Sequence, residues 1–244
     1  MLSGWTAMKT VFAACMMALV CTVSTSSAAP APDYVSVKFI HLPSGWTVTA
    51  YQAPPPKNDY DPGDTPAKLC FSHPSHKHES CTKITSSIPN SVLFNYQTVK
   101  KLDIVQIAPN TKAVTFQAEF WGGGSGLAEQ ISLWLFDPVS NFWSQALVIS
   151  TNESGQYKFI SSGALAGNVI TADPVWDFDE GESHFSAHRY EMTVYRFKAQ
   201  DYAKILTYQT KKKYNDEQDE KIRDIIASEL SNVRSLLGAI SKIH

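Results

Sequence analysis

The chain has 244 residues, 21 of them basic and 23 acidic, and 11 % of its side chains are aromatic. That length holds one large domain, or one domain with an appendage, and so many aromatics call for a packed core rather than disorder. A net charge of −2 gives no electrostatic reason to expect nucleic acid as a partner.

Residues 1–28 read as a secretory signal. Lys9 is the only charge before the apolar run Val11–Cys21, and Ser26-Ser-Ala28 offers a cleavage site before Ala29-Pro30. The run is too short to cross a membrane as a permanent helix, and no transmembrane span follows it. A lipoprotein would use Cys15 or Cys21, but Ala18-Leu-Val-Cys21 lacks the small residue expected before a lipidated cysteine. Cys70 and Cys81 remain after cleavage, and in an oxidising compartment such a pair is read as a disulfide, worth roughly 3 kcal/mol in the chain-entropy model.

A β-rich domain is expected over residues 29–214. Residues 34–40 and 46–51 alternate apolar and polar side chains and are joined by a turn at Pro43-Ser-Gly45. The proline-rich stretch 53–66 reads as a surface loop, and Cys70 to Cys81 as a stapled loop. Short strands follow at 92–96, 102–107, 113–121, 131–136, 146–150, 156–160, 169–176, 190–197 and 202–208. The expected fold is all-β, with about eleven strands in an antiparallel sandwich or in propeller-like sheets.

An internal repeat runs through the middle of the chain. Residues 114–121 end in Trp121, and a loop, strand 131–136 and a turn with Phe142-Trp143 follow. Residues 169–176 end in Trp176, and a loop, strand 192–197 and a turn leading to Tyr202 follow. The pattern implies two copies of one meander, an internal two-fold repeat. If so, the loop Gly122–Gly126 and the loop 177–189 leave the sheets at the same end.

Residues 215–244 read as one long amphipathic α-helix. Asn215 is the expected N-cap, Asp216 and Glu217 suit the first turn, and Gln218 completes a capping box. Ile222, Ile225, Ile226, Leu230, Val233, Leu236, Leu237 and Ile240 make an apolar stripe. It can dock on a sheet, or pair with a second copy as a coiled-coil dimer.

The loop 177–189 concentrates the chemistry. Asp177 and Asp179 before Gly181 resemble the start of a calcium loop, although the later ligand positions do not fit. His184 and His188 stand four apart, a zinc spacing on a helix but not in a loop between strands. Two uses compete with a braced turn in which Arg189 pairs with Asp177 or Glu182. One is a binding surface of Trp121, Trp176, Asp177, Asp179, Glu182, His184, His188 and Arg189. The other is a hydrolase with Glu182 and Asp179 as acid and base, or with a bound metal. A second constellation, His73, His76 and His78 inside the Cys70–Cys81 ring, is a candidate for copper or zinc. No nucleophile elbow or phosphate loop is present, and no catalytic residue is assigned. Asn152-Glu-Ser154 is a glycosylation sequon, of use only in a eukaryotic secretory host. The function expected is a secreted or periplasmic, non-catalytic binding protein for a protein or glycan partner in the cell envelope, with an inhibitor-like role as one form of it.

Overall fold

The computed structural model describes residues 33–52, 65–85, 96–121, 127–152, 155–177, 181–182, 186–215 and 224–240. The signal segment 1–28 and the loop Gly122–Gly126 lie outside them. Twelve strands, one α-helix and a short 3-10 turn (Gly163–Leu165) are described. The strands are β1 (Val35–His41), β2 (Thr47–Gln52), β3 (Lys68–Ser72), β4 (Ser80–Lys83), β5 (Thr98–Ala108), β6 (Thr111–Trp121), β7 (Leu127–Asp137), β8 (Phe142–Asn152), β9 (Gln156–Phe159), β10 (Val169–Val175), β11 (Arg189–Lys198) and β12 (Asp201–Gln209). The helix is α1 (Ile225–Ile240).

Each sheet is a four-stranded antiparallel meander of consecutive strands: β1–β4, β5–β8 and β9–β12. The second and third sheets therefore share one connectivity, and the six strands assigned to the repeat fall at equivalent places in them. Asn141 in one sheet, and Ala199 and Gln200 in the other, take positive φ in the corresponding tight turns.

Strand alternation explains the stacking. In β6, Val114, Phe116 and Ala118 face β1–β4, where Trp46, Val48, Leu69 and Phe71 complete one core. Ala113 and its neighbours Leu133 and Leu135 on β7 face the other way, onto Val169, Tyr195 and Phe197 of the third sheet. The middle sheet is thus covered on both sides, and six consecutive residues of β7, Gln130 to Leu135, are buried. Trp134 points opposite Leu133 and Leu135, into the layer shared with β1–β4. The polar residues in this run are satisfied: Trp134 Nε1 donates to Ser132 Oγ at 2.9 Å, and Gln130 Nε2 to the Thr85 carbonyl at 3.1 Å.

The far face of β9–β12 carries Ile170, Ala172, Met192 and Val194, covered by Ile225, Ile226 and Val233 of α1. The result is a three-sheet sandwich with a helix on its outer layer. Asp224 caps α1, accepting from the Ala227 N–H at 2.7 Å. The described helix begins at Ile225; the expected first turn after Asn215 falls on residues 216–223, outside the described ones. Its stripe packs on its own sheet, and among the described stripe residues only Leu236 and Ile240, 38 and 37 % exposed, stay at the surface.

Two expectations change. The Cys70–Cys81 ring is not only a loop: β3 and β4 form its sides, and the two cysteines are directly opposed partners joined by the disulfide. Strand β5 runs from Thr98 to Ala108, longer than the expected 102–107, because it stays paired with β6 along that whole length through two register shifts. The expected strand 92–96 falls almost wholly outside the described residues.

Candidate functional site

Two contacts fix how the second and third sheets align. The backbone at Gly167, just before β10, lies against the Ile107 carbonyl at the end of β5. Tyr157, the cross-strand partner of Thr171, donates its hydroxyl to Gln117 of β6 at 2.8 Å. Strands β6 and β10 therefore run in the same direction, and Trp121 and Val175 end them at the same rim.

Within the loop 177–189, the hub is Glu182. Its carboxylate, 6 % exposed, accepts from Lys213 Nζ at 2.6 Å, from the Asp177 N–H at 3.0 Å and from His188 Nδ1 at 3.1 Å. The lysine hydrogen bond first, and the Asp177 N–H second, hold its pKa down at about 2. His188 is 1 % exposed. Its backbone exchanges two hydrogen bonds with Tyr214, and its ring lies 4.3 Å from that of the half-buried Trp176. So the loop is pinned, but by Lys213 and His188 rather than by Arg189. Lys213, last of the run Lys211-Lys-Lys213, supplies the cation that reaches inward. Arg189 opens β11 opposite Val175 and is half-buried. Asp177 is half-buried beside the hub. Asp179, His184 and the ring of Trp121 lie outside what is described.

The histidine loop brings two of its three imidazoles together: the His73 and His76 rings meet edge to face with centroids 5.6 Å apart. His73 donates from Nε2 to the Ser44 carbonyl at 3.2 Å and accepts at Nδ1 from Ser75. His76 accepts from Asn141 Nδ2 at 2.9 Å. Both rings pack on Trp46, while His78 is exposed. Among the described residues, the one group of possible metal donors lying within 4.8 Å of one another is Cys70, Glu79 and Cys81, and those sulfurs are bonded to each other.

What the sequence reading missed lies on the strands beside the loop. Across the second sheet, Glu119, Glu129 and Thr151 are successive cross-strand partners. Across the third, Asp173, Glu191 and Gln209 are. Alternation places each row on the face its sheet turns to the other, one step outward from Ile131 and Ile149 and two from Val169, where Glu191 and Gln209 are exposed. Glu119 pairs with Lys100 at 2.6 Å, and Glu129 accepts from Gln117 Nε2 at 2.7 Å. Burial first, and the charge of Glu191 opposite second, push Asp173 up to about 6. Tyr195 and Tyr157 are also raised, mainly by burial, and in part by these carboxylates. Glu129 was read as loop because the strand was started at Ile131; β7 begins at Leu127. The signal available was parity: Glu119, Glu129 and Asp173, all half-buried, and the exposed Glu191 share the strand faces that carry Ala113, Ile131, Val169 and Tyr195 deeper in, where a carboxylate is unexpected.

Comparison with protein-family models, with curated protein sequences and with solved structures returns no match.

Proposed function

We propose that this is an exported, non-catalytic binding protein that engages a protein or glycan partner of the cell envelope at the rim where β6 and β10 end. The observation that carries this reading is the pair of polar rows, Glu119–Glu129–Thr151 and Asp173–Glu191–Gln209, held on paired strands and turned toward each other. Groups mounted on strands rather than on loops are pre-positioned, so little ordering entropy is lost when a partner binds. Trp176 and Arg189 border the same rim. A hydrolase using Glu182 is disfavoured, since a carboxylate near 2 carries no proton to donate at neutral pH and its oxygens already accept three hydrogen bonds.

The test is binding of native envelope fractions, protein and glycan separately, to the wild type and to a double variant Glu129→Gln/Glu191→Gln. A partner recovered by the wild type should bind the variant about tenfold more weakly, as expected when two charged contacts, one half-buried and one exposed, are removed. Equal recovery by both proteins would remove the rim as the binding surface.

A further inference from the structure

We propose that the rim takes a long aliphatic cation, a lysine or arginine side chain presented by a polypeptide, inserted between the two acidic rows; this rests on the binding function assigned to the rim above. Four carboxylates stand there in two cross-strand pairs, Glu119 with Glu129 and Asp173 with Glu191. Like charges placed directly opposite on neighbouring strands oppose folding. Lys100 answers one of the four. A second observation is independent of charge. Thr151 continues the Glu119–Glu129 row on the same face; it is 3 % exposed, yet its hydroxyl has no hydrogen-bond partner among the described residues. A buried hydroxyl left without a partner costs stability unless something supplies one.

The dimensions favour an ammonium or guanidinium on a stem over a bare metal ion. Packed sheets stand about 10 Å apart. A calcium ion needs oxygens within about 2.6 Å, and no three of these carboxylates bring donor atoms within 4.8 Å of one another among the described residues. A lysine or arginine side chain spans such a gap and offers several donors to carboxylates and to a threonine hydroxyl. One step deeper the walls become apolar at Ile131 and Ile149, beside a small cavity of about 20 Å³. That surface suits the methylene stem of the same side chain.

Hexalysine and hexa-arginine peptides, with hexacitrulline as the neutral control, would be titrated against the wild type by calorimetry. Both cationic peptides should bind and hexacitrulline should not. Glu129→Gln and Glu191→Gln should each weaken binding about tenfold, while Glu79→Gln, on an exposed loop of the first sheet, should leave it unchanged. Because Glu191 faces another carboxylate, Glu191→Gln should also raise the melting temperature by about 1–3 °C, whereas a merely structural glutamate would lower it. Equal binding of hexacitrulline, full affinity in the rim variants, or saturation by calcium alone would overturn the proposal. If a native envelope partner depends on the rim while these peptides do not bind, the cationic ligand is refuted and the binding surface stands; if neither binds, both fall.

Discussion

Asp173 and Glu182 flank one strand end and are shifted in opposite directions. Asp173 rises from 3.8 to about 6 through burial and the Glu191 charge. Between those values the folded protein holds a proton that the unfolded chain has released, so stability falls as pH rises from about 4 to about 6. Glu182 drops from 4.5 to about 2. Its contribution is present above pH 4.5 and is lost as pH falls toward 2. Unfolding free energies from urea titrations across pH 4 to 7 should therefore decline in the wild type by on the order of 2 kcal/mol relative to Asp173→Asn. Parallel curves for the two proteins would show that Asp173 ionises in the fold as it does in the open chain.

Helix α1 is tied down by more than its apolar stripe. Glu229 is 4 % exposed on the buried side of the helix. It accepts from Tyr208 Oη at 3.0 Å, from Asn232 Nδ2 at 2.7 Å and from the Tyr214 hydroxyl. Burial alone would raise its pKa, but these donors, Tyr214 foremost, outweigh it and hold the group below its usual value. Tyr214 also bridges to His188, so one tyrosine connects the helix to the loop that Glu182 braces. Glu229→Ala leaves two phenols without their acceptor and should cost about 2–4 kcal/mol in urea unfolding. A cost below about 0.5 kcal/mol would mean that the apolar contacts alone dock the helix.

The seam between the second and third sheets depends on one close approach. Gly167 has φ +82°, and a Cβ there would collide with the Ile107 carbonyl oxygen, a backbone atom that cannot move aside without shifting β5. Gly163 has a similar φ of +74°, but open space around its Cβ position. Gly163→Ala should cost about 1 kcal/mol, the conformational penalty alone. Gly167→Ala should cost about 2–4 kcal/mol, the same penalty plus overpacking. Thermal unfolding of the two variants separates the terms; equal losses would show that the sheets can part at this point without consequence.

The elements that depend on near neighbours in the chain were readable before any fold was known. Alternation marked β2, β6, β10 and β11, turn residues marked the breaks between them, and a 3.6-residue period marked α1. Cys70 and Cys81 announced their own bridge, and the shared strand pattern of residues 114–143 and 169–202 matches the shared connectivity of two sheets. Three kinds of feature needed the folded chain. The cap of the described helix is Asp224, whose side chain meets the Ala227 amide. Lys213 turned inward to Glu182 only because Tyr214 bridges to His188 and carries it there. The acidic rows exist only in the cross-strand register and in the stacking of one sheet on another. A period of two says which residues share a face; which other face they meet is set by contacts between strands far apart in the sequence.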